Sequence, residues 1–387
     1  MLEKGRGLRV FHLADTHLGF SAYRKLDENG VNQREKDIYT AFTSVVDYIV
    51  ESKPDLVIHA GDLFDSVRPT NRAIGVAIEQ LLRLSKAEIP TIVVSGNHET
   101  PKLKETGHIF RLFEHLEYVY PVYKDVEEHL YFEVKGKKVA VHAVPHCREK
   151  KNFIDALERV KPDDSADYNI LATHGAVQSI REFRMNEFNE YVVPLSMLEK
   201  KFDYVALGHY HKHVVVHDGV VYSGSTEKMS FLEANDKKGA VEVTFNPSAV
   251  VSFLPFKTRP MFDLEPIDCK KLSLKEVMDA VQKVSSDFDA KEAIVRLSLL
   301  NLDPAIYRSI DLSSVKSMFP NAFHFELRHT ATDDLEDLST SNVAAVGDLV
   351  SEFERFVRNS SYGNEEAILE LGKRYIRDAQ GEEGDDT

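Results

Sequence analysis

Two hydrophobic rhythms alternate along the chain: short blocks in which nearly every residue is apolar, and longer stretches in which apolar residues return every three or four positions. The blocks RVFHLA (9–14), DLVIHA (55–60), TIVVS (91–95), KVAVHAV (138–144), NILAT (169–173) and YVALG (204–208) have strand length and predict strands. EKDIYTAFTSVVDYIVES (35–52) places Ile38, Ala41, Phe42, Val45, Val46 and Ile49 at helical spacing, and further helices are predicted over 71–86 and 104–116. Strands alternating with helices through the first 210 residues predict a sandwiched α/β sheet. HVVVHDGVVYSG then changes character, because Asp218-Gly219 between two β-branched runs signals a hairpin. The first domain is expected to close in β structure near residue 255.

Pro247, Pro255 and Pro260 punctuate a boundary, giving a first domain over 1–255 and a small α+β unit over 256–330. In the second, KLSLKEVMDAVQKVSS reads as an amphipathic helix, and AIVRLSLL and AFHFELRH as strands. A polar, acidic segment over 331–342 fits a linker. Two helical patterns follow within 343–380, one carrying Val346, Leu349, Val350, Phe353, Phe356 and Val357, the other Ile368, Leu369, Tyr375 and Ile376. The charged stretch 381–387 is expected to be disordered, and there is no internal repeat.

Composition narrows the possibilities. The 387 residues suit two or three domains. Two distant cysteines, Cys147 and Cys269, make neither a disulfide framework nor a thiolate metal site, so a reducing interior is expected. No run approaches the roughly 18 apolar residues of a membrane span, and the N-terminus has no apolar signal core, so the chain is expected to be cytoplasmic, nucleoid-associated if prokaryotic. A net charge of −15 excludes a general nucleic-acid coat, since phosphate binding rests on Lys and Arg. Any DNA contact must then be local, with metal ions supplying part of the positive charge.

Polar residues sit at the carboxyl ends of five of the expected strands. FHLADTHLGF carries Asp15 and His17, DLVIHAGDLFD carries Asp62, and TIVVSGNHE carries Asn97 and His98. NILATHGA ends in His174, and YVALGHYHK in His209 and His211. That edge of an open α/β sheet is where ligands bind. Asp15, His17, Asp62, Asn97, His174, His209 and His211 are too many donors for one ion and suit two. Mixed carboxylate and imidazole donors without thiolates favour Mn²⁺, Fe²⁺ or Zn²⁺ over Ca²⁺. A paired site needs a bridging carboxylate, for which Asp62 is the candidate. His98 follows Asn97 directly and suits proton transfer to a leaving oxygen. His12, His59, His142, His146, His213 and His217 lack such partners and are expected to be structural or at the surface.

DTH, GDLFD, GNHE, THG and GHYH resemble the five motifs of the calcineurin-like metallophosphoesterase superfamily, with Glu99 where the superfamily usually has aspartate. LADTHLG, AGDLFDSVRP and LGHYHK followed by VVYSGSTEK narrow the resemblance to DNA double-strand-break repair nucleases of the SbcD type and their archaeal and eukaryotic relatives, over residues 8–260. Many of those relatives have a second histidine where this chain has Asp65.

The resemblance implies a metallophosphoesterase β-sandwich flanked by helices, a small capping domain that recognises DNA over 256–330, and a C-terminal helical tail. It implies one ion on Asp15, His17, Asp62 and His211, a second on Asp62, Asn97, His174 and His209, and His98 as the catalytic histidine. The implied activity is a two-Mn²⁺ 3′–5′ exonuclease and single-strand endonuclease, with Mg²⁺, Fe²⁺ or Zn²⁺ as other candidates. The implied partners are DNA ends, a second copy of the chain, and an SMC-like ABC ATPase whose coiled coil the 343–380 helices clamp. Phe110, Leu112 and Phe113 are candidates for the dimer contact, with an ordinary core as the other reading. Arg24, Lys25 and Arg34 after the first motif, and Arg68 after the second, are candidate phosphate contacts. Two other functions fit parts of the pattern: a phosphoesterase acting on a small substrate, and a non-catalytic DNA-end tether.

Overall fold

The computed structural model describes residues 7–177, 191–198, 202–330, 353, 354, 357, 358 and 365–380. The expected linker, most of the first tail helix and the acidic terminus lie outside the described residues. Two compact units emerge: Met1–Leu264 with Asp289–Arg296 and Phe319–Glu326, and Glu265–Phe288 with Leu297–Met318 and Leu327–Thr387. Among the described residues, no helix is long and apolar enough to cross a membrane.

The first unit is a four-layer α/β sandwich built on two six-stranded sheets. Its strands are β1 (Leu8–Leu13), β2 (Leu56–Ala60), β3 (Thr91–Val94), β4 (Val119–Val122), β5 (Glu128–Val134), β6 (Lys137–Val144), β7 (Tyr168–His174), β8 (Ala176–Val177), β9 (Val192–Val193), β10 (Tyr204–Gly208), β11 (Val214–His217), β12 (Val220–Tyr222), β13 (Gly239–Phe245) and β14 (Ala249–Pro255). The first sheet runs β14-β13-β1-β2-β3-β4 and the second β11-β12-β10-β7-β6-β5, while β8 and β9 pair by themselves. In each sheet four neighbouring strands are parallel, and an antiparallel strand closes at least one edge.

Strand alternation sorts the side chains into layers. Val10, Ile58, Ile92 and Val94 point between the sheets to meet Val141, Ile170, Ala172 and Ala206. Phe11, Val57 and Val93 point outward beneath helices α1 (Gln33–Ser52) and α2 (Asn71–Lys86). Leu171, Val205 and Leu207 pack beneath α3 (Lys150–Arg159). Both faces of each central strand are buried, which is why these strands read as unbroken apolar blocks. Asn32 and Thr70 start α1 and α2 by accepting hydrogen bonds from the first-turn amides.

The segment 104–116, expected as one helix, forms two 3₁₀ turns, Lys104–Thr106 and Ile109–His115, separated by Gly107 at φ 70°. A 3₁₀ turn brings residues three apart onto one side, and Phe110 and Phe113 use that side to pack on Phe64 in the core. Of the three candidate dimer residues, only Leu112 is exposed.

The second unit has its own small core of Val277, Val281, Leu297, Leu299, Leu302 and Val315. The helix Leu274–Asp287 opens with a reciprocal cap between Ser273 and Glu276. Asp303 and Asp311 start two short helices, Pro304–Ser309 and Leu312–Ser317. Leu299 and Leu300 pair in parallel with Ile267 and Asp268. A further helix spans Glu365–Gln380.

Candidate metal centre

The carboxyl ends of β1, β2, β3, β7 and β10 meet at one rim of the sandwich. The loop after β1 is zipped onto the loop after β2: Asp15, His17 and Leu18 amides donate to the Gly61, Asp62 and Leu63 carbonyls at 3.0, 3.0 and 2.8 Å. Asp15, His17, Asp62 and His209 all adopt left-handed backbone, with φ of 53°, 45°, 53° and 111°. Such conformations are costly for residues other than glycine and mark places where the surrounding structure dictates the geometry.

The two sheets approach each other tightly at a pair of glycines. A Cβ on Gly61 would stand 2.1 Å from His174 Nδ1, and one on Gly208 would stand 2.0 Å from the Ala60 carbonyl oxygen. Only glycine permits that approach.

The seven candidate donors are all buried. Ligand atoms of Asp15, His17 and His211 lie within 4.8 Å of one another, as do those of Asp15, Asp62 and His174. Asp62 Oδ2 stands between the groups, 3.2 Å from His174 Nε2 and 3.7 Å from His17 Nε2. The His174 Nδ1–H donates to the Ala60 carbonyl at 2.9 Å, which turns Nε2 toward Asn97 Oδ1, also at 2.9 Å. His209 Nδ1 lies 3.2 Å from the same Asn97 oxygen, and the His209 amide donates to Asp15. His17 and His211 face each other through their Nε2 atoms at 3.1 Å.

Two features fit divalent cations. Asp62 Oδ2 is fully buried and accepts no hydrogen bond, an arrangement that is expensive unless a positive charge compensates it. The donor set combines carboxylate, amide oxygen and imidazole, as suits Mn²⁺, Fe²⁺ or Zn²⁺. Burial raises Asp15, while at Asp62 the pull of His174, His98 and His17 overcomes burial and holds the carboxyl well below its ordinary range. At His174, the nearby Asp62 carboxylate outweighs burial and pushes the imidazole up to about 9.

His98 stands beside the donors, its ring edge-on to His17 at 4.6 Å between centroids. Its amide donates to Asp62 Oδ1 at 3.0 Å, and Nδ1 lies 3.1 Å from the Asp65 carbonyl. The Asp65 carboxylate lies 3.3 Å from His17 Nδ1 and 4.0 Å from His98 Nδ1. Glu99 is buried and accepts from the Gly96 amide at 2.8 Å; burial and the nearby Asp62 charge push its carboxyl up to about 8.

The candidate phosphate contacts separate. Arg24 and Arg68 are exposed. Lys25 donates to the Phe323 carbonyl and lies 4.5 Å above the Phe323 ring. The expectation for Arg34 is corrected: it is fully buried in the first turn of α1, bonded to Asp37 at 2.6 Å and to the Lys228 carbonyl, with Glu227 at 3.5 Å. Its guanidinium is spent inside the protein and has no surface to offer a phosphate. The histidines set aside earlier have structural partners: His12 contacts the Tyr204 hydroxyl at 2.8 Å, His59 the Thr16 hydroxyl at 3.0 Å and His142 Asn169 at 3.0 Å.

Residues 8–213, just over half of the chain, match the family described as Calcineurin-like phosphoesterase. The chain is similar to proteins named DNA double-strand break repair protein Mre11. It is 34% identical over 241 residues to that of Methanococcus maripaludis, covering 60% of each chain, and 31% identical over 264 residues to that of Saccharolobus solfataricus, covering 65% of each. The match to the Sulfolobus acidocaldarius protein is 26% identical and covers 94% of this chain and 93% of the relative. In the first two cases the aligned part is less than two thirds of the relative's length.

Proposed function

From the membership of this chain in the calcineurin-like phosphoesterase family, we propose that it is a metal-dependent DNA nuclease acting in double-strand-break repair. The observation that carries the reading is the convergence of buried oxygen and imidazole donors from five loops onto one rim. The resemblance to Mre11 proteins supports DNA as the substrate.

Asp15, His17, Asp62 and His211 would hold one cation and Asp62, Asn97, His174 and His209 the other, with Mn²⁺ the expected metal. When bound, the pair would supply Lewis acidity toward the phosphoryl oxygens and the attacking water. The protein's own part is positional. Asn97 Oδ1 aligns His174 and His209 on one side, and the Ala60 carbonyl fixes which nitrogen of His174 faces inward. The Asp65 carbonyl accepts the hydrogen bond of the His98 Nδ1–H, so Nε2 is the ring atom that, in the doubly protonated imidazolium, passes a proton to the leaving oxygen. Arg24 and Arg68 would contact the DNA backbone, which makes recognition one of ends and backbone rather than base sequence.

The proposed organisation is a nuclease domain over 1–255, a capping domain over 256–330, a linker over 331–342 and a tail over 343–380 that engages the coiled coil of an SMC-like ATPase, in a homodimer. Removal of 343–387 is expected to abolish capture of that ATPase and to spare Mn²⁺-dependent cutting; capture that survives the truncation would refute the tail's role. The test of the activity itself is incubation with Mn²⁺ and either end-labelled DNA (blunt, nicked and hairpin) or a nitrophenyl phosphoester. Cleavage of DNA supports the nuclease; turnover of the ester alone would assign the chain to small substrates.

A further inference from the structure

Three imidazoles of the pocket turn Nδ1 toward an oxygen, each in a different way. His174 uses a main-chain carbonyl, and His17 faces the half-exposed Asp65. His211 is backed by Glu233, whose Oε1 lies 3.2 Å from Nδ1. Glu233 is buried on the short turn Phe231–Glu233 and lies next to a fully buried lysine, Lys238, with Nζ 2.6 Å from Oε2. The same ammonium donates to the main-chain carbonyl of His211 at 2.7 Å. One residue is therefore held twice, its ring by the carboxylate and its backbone by the counter-charge of that carboxylate. The Met229 amide and Ser230 hydroxyl donate to the two Glu233 oxygens at 3.2 and 3.3 Å, which fixes the carboxylate plane.

A buried lysine–glutamate pair is not explained by stability alone. Taking both charges out of water costs about as much as their attraction returns, and apolar residues of the same volume serve as well or better. An ion pair fastened to a single imidazole does what apolar residues cannot: it chooses which ring nitrogen carries the proton.

We infer that Glu233 and Lys238 form a positioning pair for His211, keeping its proton on Nδ1 so that Nε2 presents a lone pair toward Asp15 and His17. This rests on the metal-centre reading and deepens it. Neither residue is among the proposed ligands. Their effect is on cation affinity at one half of the centre, because a backing hydrogen bond raises the ligand's basicity and fixes its orientation.

The experiment uses the full chain and three measurements: Mn²⁺ uptake followed by electron paramagnetic resonance, thermal unfolding of the metal-free protein, and long-range proton–nitrogen spectra of the metal-free imidazoles. Glu233→Ala is expected to weaken one of two Mn²⁺ sites by about 10- to 100-fold and to leave the other within a few-fold. His211 should change from an Nδ1–H tautomer to a mixture. Glu233→Asp should recover part of the affinity. Should Glu233→Ala fail to fold because it strands the Lys238 ammonium, Glu233→Leu with Lys238→Met removes both charges and carries the same expectation. Unchanged affinity at both sites, or an unchanged His211 tautomer, would overturn the positioning role. Wild-type protein that takes up no Mn²⁺ would overturn the metal reading instead, and the tautomer comparison would still decide the role of Glu233.

Discussion

The two sheets bring unlike chemistry to the shared rim. The first contributes Asp15, Asp62 and Asn97, all oxygen donors, with a single imidazole, His17; the second contributes His174, His209 and His211 and no oxygen ligand. Neither sheet carries all seven donors, and among the described residues every close donor cluster containing His174 or His211 also contains Asp15. The difference teaches that packing of the sandwich and assembly of the centre are one event. Carboxylate charge enters from one side and imidazole nitrogen from the other, and the seam between them is where cations would be balanced.

The sharpest way to break this comparison is unequal loss. Asp62→Ala is expected to release both cations and reduce cleavage to background, whereas His174→Ala should release one and leave the other measurable by metal analysis. Equal metal content in the two variants would remove Asp62 from its bridging place. Next in size is His98→Ala, which removes a ring edge-on to His17 but no proposed ligand: two cations should remain, DNA binding should hold, and cutting should fall by roughly 10²-fold or more. Retained activity would make His98 a bystander.

Arginine substitutions probe whether charge serves the rim or the interior. Arg34→Met leaves the buried Glu227 without its guanidinium and Asp37 to Arg259 alone, and should cost about 3–5 kcal/mol of stability, read by urea unfolding. Arg24→Ala and Arg68→Ala should leave the unfolding midpoint alone and lower the salt dependence of DNA binding by about one counterion each. A loss of DNA affinity in Arg34→Met without a loss of stability would reverse that assignment.

The smallest effect concerns the layer between the sheets. Burial, assisted by His213, depresses His12 to about 3. Below its ordinary value of 6.5 the unfolded chain therefore takes up a proton that the folded chain refuses. Stability from this group is complete above about pH 6.5 and is lost as pH falls toward 3, at about 1.4 kcal/mol per unit. His12→Gln keeps a partner for the Tyr204 hydroxyl and should flatten the slope of unfolding free energy between pH 6 and 4.5 by that amount.

Much of this arrangement was legible in the chain. YVALG at 204–208 and the helix over 71–86 coincide with the observed elements, because a strand buried on both faces and an amphipathic helix each leave a local pattern. The division into two facing sheets was not legible from periodicity, since an apolar block does not say which sheet it joins. β4 and β5 were missed; β5 alternates half-buried and exposed positions and resembles a polar connection. The 104–116 segment misled because Phe110 and Phe113 satisfy helical spacing as readily as a 3₁₀ turn. Arg34 misled for another reason. Its partners Glu227 and Lys228 lie about 190 residues away, and a polar stretch near a motif reads as solvent-facing until those partners arrive. Glu233 left no sign at all, being a lone acid in a surface-like sequence.

Gly61 and Gly208, set back to back across the seam, make the pocket vulnerable to gain as well as to loss. One methyl group at either position would press on His174 or on the Ala60 carbonyl and wedge the sheets apart while leaving the identity of every liganding residue unchanged. A catalogue of related sequences that checks only for the ligands would pass such a chain as competent. Inspection for intact glycines at these two positions would separate working copies from decayed ones that still carry the full set of motif histidines.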